Sequence, residues 1–151
     1  MEKKDIFDRM MALPGLRVFE PIYKKYKEIL LYLFFGFLTF VLSVSTYVLF
    51  NQKFGINELL ANIISWLIAV MFAFITNYIW VFQVRENTLK DFLKQMFGFY
   101  MGRLFTLCVE EVILAIFVIW MQLDGLFVKV IAQIIVIVLN YVISKLIIFR
   151  K

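Results

Sequence analysis

The chain has 151 residues, a formal net charge of +5 and a hydrophobic fraction of 64%, with 18 phenylalanines. A soluble domain of this length could not hide so much apolar surface in one core, because small domains leave much of their surface in water. The composition therefore excludes a soluble globular protein and indicates an integral membrane protein. The basic residues lie beside apolar segments, so we expect them to meet anionic lipid headgroups rather than nucleic acid.

Signals for catalytic or metal-binding chemistry are absent or weak in the sequence. There is no histidine, and the single cysteine, Cys108, lies inside an apolar segment. An intrachain disulfide is therefore impossible, and a zinc or haem site is not expected. No glycine-rich phosphate loop and no nucleophile with a neighbouring base can be found. We expect no metal, no cofactor and no enzymatic activity.

The first 28 residues predict a segment that lies on the membrane. Apolar residues between Ile6 and Leu13 recur at helical spacing, whereas Pro14, Gly15 and Pro21 interrupt the pattern. We expect a short amphipathic helix on the cytoplasmic leaflet, followed by an irregular lead into the first span. An unstructured tail is the alternative. Residues 1–28 are thus predicted to be a cytoplasmic, interfacial segment, and residues 29–151 a transmembrane domain.

Four apolar segments are long enough to cross a hydrocarbon core of about 30 Å, which requires around 20 helical residues. They run approximately from Ile29 to Phe50, Leu59 to Phe82, Gln95 to Met121 and Leu126 to Phe149. The basic residues concentrate in the first 28 residues, in residues 83–94 and at the C-terminus. By the positive-inside rule, both termini face the cytoplasm. The predicted fold is an all-α, multi-pass protein of the cell membrane with four transmembrane helices.

The four spans also carry a predicted internal repeat. An offset of 67 residues, as in 129 − 62, places second-half residues on first-half residues without gaps. The matched pairs are Thr39 with Thr106, Leu59 with Leu126, Asn62 with Lys129, Ile64 with Ile131, Asn77 with Ser144, and Phe82 with Phe149. Each unit is then a hairpin of two spans, and two tandem units have the same orientation in the membrane.

Charged residues inside the third span are the first candidates for a functional site. Arg103, Glu110 and Glu111 interrupt an otherwise apolar segment, and a charge near the bilayer centre costs roughly 3 kcal/mol on insertion scales. Arg103 and Glu110 are two helical turns apart and share a face, about 10 Å apart along the axis. The alternative is a buried structural pair, in which Arg103 only neutralises Glu110 or Glu111.

Helical spacing extends this polar surface onto the neighbouring spans. One narrow stripe of the fourth span carries Lys129, Gln133, Asn140 and Ser144, and their repeat mates on the second span are Asn62, Trp66, Ala73 and Asn77. These residues predict a row of polar side chains that extends across the membrane. For Asn62 and Gln133, a hydrogen bond to a neighbouring helix is the simpler interpretation, and Lys129 could extend to the interface.

The sequence resembles the GtrA-like proteins between Tyr32 and Phe149. The motifs that carry the resemblance are Tyr32–Gly36, Leu60–Ser65, Ala73–Phe82, Phe99 with Arg103, Lys129–Gln133 and Leu139–Lys145. Three positions depart from the family pattern. Tyr78 and Ile79 follow Asn77 where the family usually has a small residue and a basic residue, and Ile147 replaces the closing tryptophan of the second unit.

This resemblance implies translocation of a polyprenyl-phosphate-linked monosaccharide, such as an undecaprenyl phosphate derivative, across the cytoplasmic membrane. The sugar would then decorate a surface polymer such as teichoic acid, O-antigen or arabinogalactan. It also implies membrane glycosyltransferases as partners beside membrane lipids. A homo-oligomer would widen a route that is narrow for four helices.

For this substrate, we expect Arg103 to bind the phosphate on the cytoplasmic side and Lys129 to receive it on the outer side. Asn77 and Asn140 would line the path of the sugar, with Ala73, Glu110 and Gln133 beside them, while Phe82, Phe99 or Tyr141 would offer an apolar ring face. Two alternatives remain at this stage. One is a proton-coupled drug exporter built on Glu110 and Glu111, and the other is a non-transporting partner of a glycosyltransferase.

Overall fold

The computed structural model of the protein describes residues 6–11, 13, 15, 19–84 and 88–149. Within these ranges the chain forms helices and no strand, which confirms the all-α prediction. The helices are α1 (Ile6–Met11), α2 (Glu20–Val48), α3 (Glu58–Thr76), α4 (Leu89–Leu114) and α5 (Gly125–Ile143). A π-helical turn extends each of the last four, at Leu49–Lys53, Asn77–Val81, Ala115–Trp120 and Ser144–Ile148.

The first long helix begins earlier than the sequence predicts. Pro21 lies in the first turn of α2, where a proline fits because the backbone N–H that it lacks has no helical partner there. The expected irregular lead into the span is therefore wrong for residues 20–28. These residues are helical, with a local kink at Tyr26, where φ is −116° and ψ is 18°. Residues 12, 14 and 16–18 of this stretch lie outside the described residues.

The amphipathic helix α1 folds back onto α2. Lys27 donates to both carboxylate oxygens of Asp8 at 2.8 Å. The Phe7 ring meets the rings of Phe34 and Phe35 edge to face, with centroids 6.0 and 5.7 Å apart. The apolar face of α1 is therefore covered in part by the chain's own first long helix.

Side-chain caps fix where the next three helices begin. Asn57 accepts a hydrogen bond from the backbone N–H of Leu60 at 2.9 Å, and Asp124 accepts one from Phe127 at 2.8 Å. Thr88 and Asp91 form a reciprocal capping box at the start of α4. Such caps satisfy N–H groups that have no partner within the helix.

The caps and turns of the two helical hairpins keep the same spacing. The capping residues Asn57 and Asp124 are 67 positions apart (124 − 57), and both start the second helix of a hairpin. At the other end of these helices, Phe82 and Phe149 donate to the carbonyl oxygens of Asn77 and Ser144, each at 2.8 Å. The 67-residue separation is thus found both at the starts and at the ends of α3 and α5.

In the part of the chain that the structure describes, three helical segments are long and apolar enough to cross a membrane: Glu20–Lys53, Leu60–Val81 and Val130–Ile148. Many of their large apolar side chains are exposed, among them Phe37, Phe40 and Ile147. In water such exposure would be very unfavourable, whereas in lipid it costs little. The chain is accordingly a membrane protein.

The helices pack as two hairpins, α2 along α3 and α4 along α5, with α3 in contact with α4. We call the end with the connections 54–57 and 121–124 the short-loop end, and the opposite end the termini end. An aromatic cluster joins the hairpins toward the termini end. It consists of Phe74, Tyr78, Phe82, Phe92, Phe99 and Phe149.

Small residues bring α4 and α5 close together beside this cluster. A Cβ atom added at Gly102 would lie 3.1 Å from Cγ2 of Ile143, closer than most real contacts. The same addition at Gly98 would meet Ile148 at an ordinary 3.8 Å. A side chain at Gly102 would thus require Ile143 to move by a few tenths of an ångström.

We predict that Gly102→Ala is less stable than Gly36→Ala by about 1–3 kcal/mol, the usual effect of overpacking, because both substitutions gain similar helix propensity and only the first crowds a neighbour. The measurement is the midpoint of thermal unfolding of the purified protein in detergent. Gly36→Ala is the matched control, because a Cβ atom there meets nothing within 4 Å. Equal midpoints for the two variants would show that α4 and α5 are not closely packed at Gly102.

Candidate functional site

Arg103 lies on α4, half-buried, with its guanidinium over the Phe99 ring, 4.9 Å from the ring centroid. The hydroxyl group of Tyr32 on α2 lies near it. In the described part of the chain, no carboxylate forms an ion pair with Arg103. The structure therefore gives this cation an aromatic face and a neutral hydroxyl group, rather than the acidic neighbour of the structural alternative.

Two polar contacts follow on the same face of α4. The Thr106 hydroxyl donates to Oδ1 of Asn140 at 2.9 Å and lies 3.1 Å from the carbonyl oxygen of Arg103. One turn further, Nε2 of Gln133 donates to Oε1 of Glu110 at 2.6 Å. Thr106, Asn140 and Glu110 are all buried. Four of the predicted site residues, Arg103, Glu110, Gln133 and Asn140, thus form one polar row between α4 and α5.

Asn77 lies on α3, at the start of its π-helical turn, and is only 3% exposed. Its Nδ2 donates to the carbonyl oxygen of Ala73 at 2.7 Å. Its Oδ1 is buried and has no hydrogen-bond partner among the described residues. Buried polar atoms are nearly always paired, so this oxygen marks a place where a donor is missing.

The two predicted aromatic site residues belong to the aromatic cluster. Phe82 stacks on Phe149 with ring centroids 4.9 Å apart, and Phe99 packs against Phe74 at 5.7 Å. Both are almost fully buried. Other rings and Arg103 cover the ring faces of Phe82 and Phe99. These two phenylalanines therefore contribute to the site by positioning Arg103 and by joining α3 to α4.

The structure also shows a polar cluster that the sequence did not indicate. The Tyr141 hydroxyl donates to Oε1 of Glu28 at 2.6 Å, and Lys145 forms an ion pair with the same oxygen at 2.8 Å. The Tyr141 ring packs edge to face on Tyr32, with centroids 5.3 Å apart. This cluster joins α2 to α5 at the termini end, next to Arg103.

Two other positions complete the comparison with the predicted site. Asn62, the repeat mate of Lys129, is exposed on α3. Glu111 is exposed as well, about 100° around α4 from Glu110. The side chain of Lys129 lies outside the described residues. Thr106 was missed, although its spacing of three residues from Arg103 and four from Glu110 places it on the same helical face.

A row of hydrogen-bonded polar side chains inside apolar helices defines a helical membrane protein with a polar interior face. Comparison with known proteins identifies its family. The model of the GtrA/DPMS transmembrane domain matches residues 31–149, so the chain belongs to this family.

Several curated proteins are similar to this chain. The cell wall teichoic acid glycosylation protein GtcA of Listeria monocytogenes is 32% identical over 123 residues, which are 82% of this chain and 85% of the relative. The corresponding protein of Listeria innocua is 30% identical over the same shares. The membrane protein YwcD of Bacillus subtilis is 26% identical over 80% of this chain and 95% of its own. No solved structure matches the chain significantly.

We predict that Thr106→Val destabilises the protein by about 1–3 kcal/mol, because it leaves the buried Asn140 oxygen without its donor. Thr39→Val is the control, since Thr39 occupies the matching repeat position and its hydroxyl bonds only the Phe35 carbonyl of its own helix. Thermal unfolding in detergent measures both. A similar loss in the two variants would contradict a special role for the bond between α4 and α5.

Proposed function

We propose that this protein moves a polyprenyl-phosphate-linked monosaccharide across the cytoplasmic membrane for glycosylation of a cell-surface polymer such as teichoic acid. Membership of the GtrA/DPMS family and the names of the Listeria relatives support a role in cell wall glycosylation. The transported substrate and the membrane glycosyltransferases that would load or use it are our inference.

The main support for the proposal is the position of Arg103 inside the helical bundle. A guanidinium inside an apolar bundle is costly, and here it has no ion pair with a described carboxylate. The Phe99 ring stabilises it through a cation–π contact, which leaves N–H groups at the edge of the planar group available. A phosphodiester matches these donors, because guanidinium binds phosphate oxygens through paired, charge-assisted hydrogen bonds and stays protonated.

Asn77 supplies the complementary contact for a sugar. Its unpartnered Oδ1 can accept a hydrogen bond but cannot donate one, so it suits a hydroxyl group and not a phosphate oxygen. Asn140 and Gln133 hold hydrogen bonds between α4 and α5 that a passing hydroxyl group could replace. Lys129 remains our candidate for the second phosphate contact, nearer the short-loop end.

The proposed transport route requires that α4 also crosses the membrane. With its π-helical turn it covers residues 89–120 and lies along α5, which is apolar enough to span. We infer four spans in two tandem hairpins, a view supported by the 67-residue spacing of the caps and turns. The basic residues near the termini end favour a cytoplasmic location for both termini. We infer no enzymatic activity.

Arg103→Lys should lower surface glycosylation about tenfold or more, because lysine cannot form the paired, planar contact with phosphate. The measurement is the sugar content of the wall polymer in cells that lack the native gene and express the variant. Lys25→Gln is the control, since Lys25 is exposed on α2 outside the polar row. Immunoblots of the membrane fraction should show equal amounts of both variants, and normal glycosylation by Arg103→Lys would refute the role of Arg103.

Purified protein in liposomes separates the proposed function from its alternatives. Flipping of a fluorescent, short-chain polyprenyl-phosphoryl sugar would support transport. Proton-coupled efflux of an organic cation without lipid flipping would instead support an exporter. Neither activity, together with co-purification of a glycosyltransferase, would indicate a non-transporting partner.

A further inference from the structure

The polar cluster of Glu28, Tyr141 and Lys145 at the termini end is built around one carboxylate oxygen. Oε1 of Glu28 accepts a hydrogen bond from the Tyr141 hydroxyl at 2.6 Å and forms an ion pair with Nζ of Lys145 at 2.8 Å. The same ammonium group donates to the Tyr141 hydroxyl oxygen at 3.1 Å. An ammonium group and a hydroxyl group thus converge on a single anionic oxygen. A phosphate oxygen accepts hydrogen bonds from the same kinds of donor.

The ion pair in this cluster is accessible from outside the protein. The side chain of Glu28 is 36% exposed and that of Lys145 is 46% exposed. Ion pairs with this much exposure usually contribute little to stability, so one partner can be replaced at small cost. Glu28 therefore binds Lys145 and Tyr141 without burying them, and another anion can reach the same donors.

Lys145 lies closer to the termini end than Arg103 does. Gly102 of α4 and Ile143 of α5 are side by side, since a Cβ atom at Gly102 would be 3.1 Å from Ile143. From these positions Arg103 is one residue further toward the short-loop end, and Lys145 is two residues further toward the termini end. At roughly 1.5 Å per helical residue, the two cations differ in depth by about 4 Å. An anion that enters from the termini end therefore reaches Lys145 first.

We propose that Lys145 and the Tyr141 hydroxyl form a docking site for the phosphodiester of the lipid substrate, and that Glu28 occupies this site when no substrate is bound. Arg103 and Lys145 carry one positive charge each, whereas Glu28 carries one negative charge. A phosphodiester adds one negative charge and makes this group of residues neutral. The phosphate replaces Glu28 at Lys145 and then passes to Arg103, which lies deeper. The identity of the lipid rests on the function proposed above.

An ion pair that only joins α2 to α5 would behave differently from a docking site. For a purely structural pair, removal of either charge breaks the same contact and has the same effect. For a docking site, the two charges have opposite effects on lipid binding, because Lys145 attracts the phosphate and Glu28 competes with it. Neutralising each residue in turn therefore distinguishes the two cases.

The test measures binding of a short-chain polyprenyl-phosphoryl glucose to the purified protein in detergent, as lipid adducts in native mass spectrometry. Lys145→Gln should weaken binding about fivefold or more, because it removes a cation that contacts the phosphate. Glu28→Gln should strengthen binding about threefold, because it removes the competing charge. Tyr141→Phe keeps the ring that packs on Tyr32 and loses only the hydroxyl group, so it should weaken binding about threefold.

Glu20→Gln and Lys24→Gln are the matched controls, because they neutralise an exposed ion pair of 2.7 Å near the start of α2. They change the net charge as the Glu28 and Lys145 variants do, and they should bind the lipid as the native protein does. Weaker binding by both Glu28→Gln and Lys145→Gln, or equal changes in the site and control variants, would refute the docking site. If Glu28→Gln does not fold, unchanged binding by Lys145→Gln and Tyr141→Phe refutes it.

Phosphatidylglycerol is the comparison lipid, because it has a phosphodiester but neither a prenyl chain nor a sugar. It should bind more weakly, and equally tight binding with the same response to Lys145→Gln would overturn the assignment to a lipid-linked sugar. Transport in liposomes is a separate measurement. Opposite responses of Glu28→Gln and Lys145→Gln without flipping would support the docking site and refute transport, whereas flipping without these responses would refute the docking site alone.

Discussion

A polar group buried among apolar side chains must find its hydrogen-bond partner within the protein, and this constraint explains how α4 is held. Its apolar neighbours supply no such partners, so Thr106 and Glu110 depend on Asn140 and Gln133 of α5. These bonds fix how the two helices are rotated relative to each other. The same constraint makes Arg103 unusual, because it contacts an aromatic ring and no carboxylate among the described residues pairs with it.

The termini end of the molecule is held by a different set of interactions. Glu28 and Tyr141 connect the start of α2 to the end of α5, and the contact between Asp8 and Lys27 adds α1 to the same region. Aromatic rings fill the space between the hairpins, where edge-to-face and stacked contacts add to their buried area. Arg103 therefore lies beside packed aromatic rings, and none of the described carboxylates pairs with it.

The sequence was sufficient to predict an all-α membrane protein and the residues on one face of the candidate site. Helical spacing placed Arg103, Glu110, Gln133 and Asn140 on facing stripes, because the period of a helix is fixed. It could not show that Glu110 binds Gln133 rather than Arg103, since that depends on how α4 and α5 rotate against each other. Nor could it show the cluster at Glu28, because hydrogen bonds between residues more than a hundred positions apart follow from packing.

The aromatic cluster lies toward one end of the bundle, and this has a mechanical consequence. Closer to the short-loop end, Tyr100 connects the hairpins through its hydroxyl, which donates to the Leu67 carbonyl at 2.8 Å, and through its ring contact with Trp66. A single hydrogen bond and a single ring contact can break and re-form far more easily than a packed cluster of rings. We therefore expect any movement of one hairpin relative to the other to be smallest at the aromatic cluster.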